Sequence, residues 1–178
     1  MGKKRRLNLG IVGACARGRD FKAGCEAAGL SIRAVCDIDT GELQEAAQAL
    51  GAPEQYTDYD AMLETAELDA VIIGTPMQFH VPQSIAALSR NIHVLCEVTA
   101  GTSIEECRQL VLATKASRAI YMMAENYTYT QPNMMVSEMV RRGLFGTTYY
   151  AEGEYIHELK ELNETTPWRR KWQTGING

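Results

Sequence analysis

The first residues whose types and spacing could support chemistry form a glycine-containing turn near the N-terminus. Residues 13–18 read Gly-Ala-Cys-Ala-Arg-Gly, between a short apolar run and a stretch with helical spacing. In the pattern G-x-G-x-x-G, the first glycine makes a tight turn, the second admits a pyrophosphate and the third lets the helix pack on the strand. Gly13 and Gly18 fill the first and third positions, whereas Cys15 replaces the second glycine with a small side chain that is expected to crowd the pyrophosphate. The residues predicted to bind a dinucleotide here are Gly13, Cys15, Ala16, Arg17 and Gly18.

An acidic residue follows the second apolar run, at 31–36. Asp37 lies 24 residues after Gly13, where a carboxylate accepts hydrogen bonds from the adenosine ribose hydroxyls. A carboxylate at that position repels the 2′-phosphate of NADP, and residues 38–40 contain no arginine that would bind it. The spacing therefore predicts NAD as the cofactor; the alternative is an ordinary strand-to-helix turn without a ligand.

The elements that must position these residues alternate along the chain. Short apolar runs occupy residues 7–12, 31–36, 68–74, 91–96 and 119–123. Stretches with helical spacing occupy residues 18–28, 40–50, 58–66, 80–90 and 103–117. Parallel strands need crossover helices, and strands covered on both faces are apolar throughout. The alternation therefore predicts an α/β fold with a doubly wound parallel sheet of the Rossmann type.

Residues at the ends of the helical stretches support these boundaries. Thr40 and Ser103 are predicted N-caps, and Glu106 follows Ser103 at the spacing of a capping box. Gly29 and Gly51 fall just past helices, where a left-handed residue ends the helix.

The pattern changes after Met123. A polar and aromatic segment comes first, followed by a helical stretch that ends at Gly143 or Gly146. Residues 147–162 then alternate with a period near two, which is typical of a strand with one exposed face. Such a strand has no partner left in the chain, so its edge would be unpaired. The predicted domains are a Rossmann domain at 1–123 and the beginning of an incomplete α+β substrate domain at 124–178.

Charge and hydropathy exclude several classes of function. The net charge is −4, and the basic residues Lys3–Arg6 are concentrated at one end, so the rest of the chain is more acidic still. An acidic surface repels nucleic acid and anionic lipid. The chain also lacks the run of about 18 apolar residues that a membrane-spanning helix needs. We therefore expect a small-molecule substrate and neither a nucleic acid nor a membrane as partner.

The cysteines and the N-terminus bear on the compartment. The five cysteines form no C-x-x-C pair and no metal-site spacing with histidine, so we expect reduced thiols and no metal. The N-terminus superficially resembles a secretory signal, with basic residues, an apolar stretch and the small residues 14–16. That stretch is short and interrupted by Asn8, and cleavage after Ala16 would destroy the glycine turn. The sequence therefore favours a cytoplasmic protein.

The segments GIVGACARG, AVCDID, VIIGTPMQFH and HVLCEVTA, in this order and spacing, resemble the Gfo/Idh/MocA family of sugar and polyol oxidoreductases. The resemblance extends over essentially the whole chain. It implies an N-terminal NAD-binding Rossmann domain and a C-terminal α/β domain whose large open sheet binds substrate. That sheet often builds dimers or tetramers, so a homo-oligomer is expected.

The resemblance also implies roles for individual residues. Thr75 and Pro76 would lie beside the cofactor at the carboxyl end of a strand. His80, the last residue of the Thr-Pro-x-x-x-His segment, would lie near the nicotinamide and is a catalytic candidate. Glu97 matches the glutamate of the family's Glu-Lys-Pro segment, and Asn126 matches an asparagine on the following strand. Both are expected to bind the cofactor.

The chain departs from the family at the two positions after Glu97, where Val98 and Thr99 replace lysine and proline. The lysine helps to polarise or deprotonate the substrate hydroxyl, and valine can do neither. The segment EVTA and the residues that follow resemble a branch containing NAD-dependent glycosidases, in which a tyrosine and a histidine of the second domain carry much of the chemistry. The catalytic candidates on that basis are Tyr155 and His157, with Tyr127 and Tyr129 as weaker ones. Strand residues two apart share a face, so the first pair can serve one site.

Three functions are expected from the resemblance and the length of the chain. The first is an NAD-dependent oxidoreductase that removes hydride from a sugar or cyclitol hydroxyl. The second is a redox-cycling glycosidase or eliminating lyase, which the loss of the lysine favours. The third is an inactive nucleotide-binding fragment, which the short chain favours. Aromatic and basic side chains at 168–172 are a candidate sugar-stacking or interface patch.

Overall fold

A computed structural model describes residues 6–166. The chain divides into two compact units, and the division falls between Ala124 and Glu125. The first unit contains a six-stranded sheet with its helices, and the regular structure of the second unit between residues 125 and 166 is helical.

The sheet of the first unit is parallel throughout. Its strands are β1 (Asn8–Val12), β2 (Ser31–Cys36), β3 (Glu54–Tyr56), β4 (Ala70–Ile73), β5 (His93–Cys96) and β6 (Tyr121–Met123). The helices between them are α1 (Lys22–Ala27), α2 (Leu43–Leu50), α3 (Tyr59–Thr65), α4 (His80–Ser89) and α5 (Ile104–Ala116). Short 3-10 turns at Arg17–Phe21 and Met77–Phe79 lead into α1 and α4. The spatial order β3-β2-β1-β4-β5-β6 confirms the predicted doubly wound Rossmann sheet.

Both faces of this sheet are buried. Ile72 packs in one apolar cluster with Ile11, whereas its neighbours Val71 and Ile73 pack in the other cluster. Successive side chains of a strand point to opposite faces, so β4 must be apolar at every position to satisfy both clusters. This requirement explains why the strands read as continuous apolar runs in the sequence.

The strand order reverses its direction at β1. That strand pairs with β2 on one side and with β4 on the other, so the two halves of the sheet diverge from it. Loops that leave β1 and β4 therefore turn to opposite faces and leave a crevice at the carboxyl edge, which is where open α/β sheets bind ligands. Gly13 follows β1 and Gly74 follows β4 at this crevice.

The helix caps agree with the sequence at three of the four predicted positions. The Ser103 hydroxyl accepts the Glu106 N–H at 3.2 Å, and the Glu106 carboxylate accepts the Ser103 N–H at 3.1 Å, which is the predicted capping box. Gly29 and Gly51 have φ angles of +67° and +69°, in the left-handed region.

Thr40 is not the N-cap of α2, contrary to the prediction. The neighbouring carboxylate of Asp39 accepts the backbone N–H groups of Gly41 and Glu42, at 3.0 and 3.2 Å. A carboxylate is a stronger acceptor than a hydroxyl, so it organises this turn instead. β3 is also absent from the predicted elements because its three residues are too few and too polar to form an apolar run.

The second unit contains α6 (Gln131–Arg141) and α7 (Lys160–Thr165), with a 3-10 turn at Tyr127–Tyr129. The predicted helix is confirmed as α6, and Gly143 beyond its end has a φ angle of +72°. The predicted strand at 147–162 is wrong, because residues 147–159 have no regular structure and α7 follows them. A strand is stable only when another strand satisfies its backbone groups, and the described part of this unit contains no other strand.

Candidate functional site

The two glycines of the turn after β1 pack against a third glycine, Gly74, which follows β4. Gly13 has a φ angle of +79°, and a Cβ atom on it would lie 2.6 Å from the carbonyl carbon of Gly74. A Cβ atom on Gly18 would lie 2.7 Å from the Gly13 carbonyl oxygen and from a methyl group of Ile11. Side chains cannot fit at these distances, so the first and third glycines allow the turn, the 3-10 segment and β4 to pack together.

Asp37 is fixed directly over this turn. One carboxylate oxygen accepts the N–H of Cys15 at 2.8 Å, and the other accepts the N–H of Asp39 at 3.1 Å. The N–H of Ala16 donates within the turn to the Gly13 carbonyl, at 3.4 Å. The predicted spacing between the first glycine and the acid therefore corresponds to a direct hydrogen bond in the structure.

Cys15 occupies the position of the second glycine without displacing the acid. Its side chain is half-buried and its Sγ lies 3.7 Å from the carbonyl oxygen of Asp39. Burial raises the pKa of the thiol to about 11, and the negative charge of Asp37 adds to the rise. The thiol is therefore neutral at physiological pH and adds no charge to the turn.

Arg17 connects the glycine turn to the end of β5. Its guanidinium contacts a carboxylate oxygen of Glu97 at 2.6 Å and that of Asp20 at 2.5 Å. Glu97 is buried, and its second oxygen accepts the N–H of Val98 at 2.8 Å. This ion pair brings two predicted cofactor residues together across the carboxyl edge of the sheet.

His80 is enclosed by backbone carbonyl groups. Nε2 lies 2.8 Å from the Thr75 oxygen, Nδ1 lies 2.6 Å from the Thr99 oxygen, and the residue is 1% exposed. The Thr75 hydroxyl donates to the side-chain oxygen of Gln83 at 2.6 Å. His80 therefore ties the loop after β4, where Pro76 also lies, to the loop after β5, and both ring nitrogens are occupied.

An aromatic cluster in the second unit contains the two remaining catalytic candidates. Tyr155 and His157 have ring centroids 4.3 Å apart, and Tyr127 packs edge-on against Tyr155 at 5.0 Å. The Tyr127 hydroxyl lies 3.2 Å from Nε2 of His157. Tyr155 and His157 are in contact as predicted, although the strand on which that prediction was based is absent.

The remaining second-unit candidates lie near this cluster in the sequence. The Asn126 carbonyl accepts the N–H of Tyr129 at 3.1 Å, at the start of the 3-10 turn. A groove of about 900 Å³ opens beside that turn. Its lining includes Tyr127, Tyr129, Asn133, Met134, Ser137 and Glu138. The aromatic and basic patch predicted at 168–172 lies outside the described residues, as does most of the basic segment Lys3–Arg6.

Sequence reasoning missed two residues of the first unit that contact the site. Arg19 reaches back to the turn, where its Nε donates to the Ala14 carbonyl at 3.2 Å. Gln83 is the hydrogen-bond partner of Thr75. Neither belongs to a motif, and only the 3-10 segment before α1 and the first turns of α4 place them there. Their positions in the sequence carried no signal of these contacts.

Residues 6–166 contain no group of three or more histidine, cysteine, aspartate or glutamate side chains that could hold a metal ion. Their helices are all too short or too polar to cross a bilayer.

The fold and the glycine turn with its acid define an NAD-binding Rossmann domain. A family model described as an oxidoreductase family with an NAD-binding Rossmann fold matches residues 7–125, and the chain belongs to this Gfo/Idh/MocA family. The close-packed glycines and the anchored Asp37 fit the dinucleotide, because they leave backbone at the crevice and a carboxylate beside it.

Known proteins extend the similarity beyond the Rossmann domain. A glycosyl hydrolase family 109 protein from Shewanella woodyi is 37% identical over 97% of this chain and 40% of its own length. An alpha-N-acetylgalactosaminidase from Shewanella oneidensis is 33% identical over 97% of the chain and 41% of its own length. The chain thus spans about 40% of the length of these curated relatives.

A solved structure supports the fold independently. The myo-inositol 2-dehydrogenase from Lactobacillus plantarum superimposes with a TM-score of 0.85 at 24% identity, over 94% of this chain and 50% of that protein. At this identity the match establishes a shared fold.

Proposed function

We propose that the protein is an NAD-dependent oxidoreductase that transfers hydride from a hydroxyl-bearing carbon of a sugar or cyclitol. The observation that carries the proposal is Asp37, held by the Cys15 N–H over the glycine turn at the point where the strand order reverses. An acid anchored in this way suits a ribose diol and opposes a 2′-phosphate. Membership of an oxidoreductase family supports the same activity.

The residues of the first unit bind and position the cofactor in this proposal. NAD, when bound, supplies the hydride acceptor. The turn from Gly13 to Gly18 offers backbone to the pyrophosphate, and Asp37 accepts the ribose hydroxyls. Thr75, Pro76 and Glu97 border the crevice, and Asn126 is a further candidate contact from the second unit. His80 acts as a positioning residue, because its nitrogens already contact two carbonyl groups.

The residues of the second unit handle the proton. Oxidation of an alcohol removes hydride from carbon and a proton from oxygen, so the chain must supply a base. We assign this role to the Tyr155–His157 pair, whose rings are in contact. The Tyr127 hydroxyl at 3.2 Å from Nε2 restricts the orientation of the imidazole.

A second candidate function is a redox-cycling glycosidase, in which the cofactor is reduced and reoxidised within each turnover. Val98 favours it, because an apolar side chain stands where the oxidoreductases of the family have their lysine. The relatives named as glycosyl hydrolases support the same alternative. A third candidate is an inactive nucleotide-binding module.

We also propose a cytoplasmic location and a homo-oligomeric assembly. All five cysteines are free thiols, which supports a reducing, cytoplasmic location. A homo-oligomer is supported by the apolar side chains that α6 exposes, among them Met134, Met135 and Val136. A small sugar or polyol is the proposed substrate; nucleic acid and membranes are not proposed as partners.

Cofactor turnover distinguishes the three functions. The protein is titrated with NAD by calorimetry and then incubated with NAD and either inositols or an aryl N-acetylgalactosaminide. NADH that accumulates with a polyol supports the oxidoreductase. Aglycone release without net NADH supports the glycosidase, and NAD binding without either supports the inactive module. Failure of the folded protein to bind NAD contradicts the proposed cofactor site.

A further inference from the structure

Arg19 is the cation whose position the proposed hydride chemistry does not explain. Its Nε donates to the Ala14 carbonyl at 3.2 Å, which fixes the guanidinium against the glycine turn. Its Nη1 and Nη2 lie 3.5 Å from the carboxylates of Glu45 and Glu42. Nη2 is shielded from solvent and makes no hydrogen bond. The guanidinium is therefore partly neutralised by loose ion pairs and retains unused donor capacity.

Arg19 contacts the part of the turn that holds Asp37. Ala14, its backbone partner, precedes Cys15, whose N–H contacts the Asp37 carboxylate at 2.8 Å. Burial raises the pKa of the Cys15 thiol to about 11, Asp37 adds to the rise and Arg19 opposes it. The Cys15 thiol thus lies within electrostatic reach of both Arg19 and Asp37.

Arginine at such a place has a defined chemical preference. Its planar guanidinium binds phosphate with two parallel hydrogen bonds, and the 2′-phosphate of NADP is attached to this ribose. Two glutamates of the α2 region, Glu42 and Glu45, compete with such a phosphate for the same donors. The carboxylates of Asp37 and Asp39 add negative charge nearby and oppose it further.

We propose that Arg19 is a specificity-determining residue that could bind the 2′-phosphate of NADP but is kept neutralised by Glu42 and Glu45. These glutamates, together with Asp37, therefore select NAD over NADP. The selection then has two independent parts. Asp37 acts by repulsion and by binding the ribose hydroxyls, and the glutamates act by occupying the Arg19 guanidinium. The proposal rests on NAD binding and is independent of the identity of the sugar.

The test measures dissociation constants for NAD and NADP by calorimetry on folded variants of the whole chain. Asp37→Ser is expected to weaken NAD binding and to strengthen NADP binding by about tenfold, because one carboxylate no longer faces the phosphate. Adding Glu42→Gln and Glu45→Gln is expected to strengthen NADP binding by about a further fivefold, with little change for NAD. Adding Arg19→Gln to that triple variant should remove the further gain. The gain should also shrink at high salt.

A matched control separates this effect from net charge. Glu64→Gln with Glu105→Gln also removes two negative charges. These glutamates pair with Arg90 and Arg108, away from the turn. Added to Asp37→Ser, this control is expected to leave NADP binding near that of Asp37→Ser alone. If the control strengthens NADP binding as much as the Glu42 and Glu45 changes do, the proposed role of Arg19 is wrong, although the NAD site is unaffected. The same conclusion follows if the gain in NADP binding from the Glu42 and Glu45 changes persists after Arg19→Gln. If the unaltered chain binds no NAD, the ribose site and the proposal are both wrong.

Discussion

Asp37 and Cys15 illustrate what can be predicted at the scale of single residues. The acid was predicted from its spacing to Gly13, because the first strand, helix and second strand of this fold have nearly constant lengths. The structure adds that the Cys15 N–H, which needs no particular side chain, is the group that holds the acid. A cysteine can therefore stand at a glycine position while the turn keeps its contact with Asp37.

The same contact predicts the reactivity of Cys15. Burial and the charge of Asp37 raise the pKa of the thiol to about 11, so at pH 8 little thiolate is present and alkylation is slow. Asp37→Asn removes one negative charge, which lowers that pKa and increases the labelling rate. Mass spectrometry of iodoacetamide-treated protein at several pH values measures the effect. Asp20→Asn is the control, and equal labelling of the two variants would contradict the assigned cause.

His80 has contacts that residue-level prediction could not supply. The sequence placed it near the cofactor because it follows Thr75 and Pro76, and the contact with the Thr75 carbonyl is local. Its other partner, the Thr99 carbonyl, lies on a loop 19 residues away, and burial of the ring depends on how α4 packs against β5. No feature of the sequence distinguishes a ring held between two carbonyl groups from one that faces a substrate.

At the scale of elements, helix ends were predictable where one side chain and one backbone group suffice. Ser103 and Glu106 meet these conditions, and their capping box forms as predicted. The prediction of Thr40 as the N-cap of α2 was wrong because Asp39, one residue earlier, offers a stronger acceptor to the backbone N–H groups of this turn. Competition between neighbouring caps is decided by the exact course of the loop, which sequence spacing does not reveal.

The capping box of α5 predicts a measurable stability difference. Ser103→Ala removes the acceptor of the Glu106 N–H and is expected to destabilise the protein by about 1 kcal/mol in urea unfolding. Ser89→Ala is the control, because that hydroxyl donates to the Ala86 carbonyl inside α4 and caps no helix start. Similar losses in the two variants would show that the Ser103 cap contributes nothing specific.

The pH dependence of Glu106 provides a second test of the same element. Hydrogen bonds, chiefly from the Thr102 hydroxyl, lower the pKa of this carboxyl in the folded protein. Its stabilising contribution is therefore present above the unfolded-state pKa and is lost as pH falls through the lower folded-state pKa. Glu106→Gln should be less stable than the unaltered chain at neutral pH, with the difference closing in acid. A difference that persists in acid would exclude the charged carboxylate as its source.

At the scale of the whole molecule, the two halves of the chain were not equally predictable. Five of the six strands of the first unit were recognised as short apolar runs, a pattern that burial on both faces imposes on central strands such as β1 and β4. In the second unit, alternation at 147–162 indicated a strand, yet a strand also requires a partner, and pairing is not encoded within the segment itself. The aromatic cluster forms there without a strand, through contacts among Tyr127, Tyr155 and His157.

This contrast predicts the order in which the chain opens. The first unit has two apolar clusters, whereas no described residue of the second unit, at 125–166, is buried. Regions with few buried contacts open locally at low free energy. Limited trypsin digestion is therefore expected to cut first after Arg141, Arg142 and Lys160 and to leave a resistant fragment that contains the whole Rossmann sheet. The fragment is identified by its intact mass.

In the same digestion, added NAD is expected to protect only the first unit. A ligand that binds only the native first unit stabilises it by mass action, by about 2.7 kcal/mol at a concentration one hundred times the dissociation constant. NAD should therefore slow cleavage after Arg90 and Arg108, which lie within the first unit, and leave the early cuts in the second unit unchanged. Early cleavage at these two arginines without NAD would contradict the proposed order of opening. Equal protection of both units would instead show that cofactor binding stabilises the second unit together with the first.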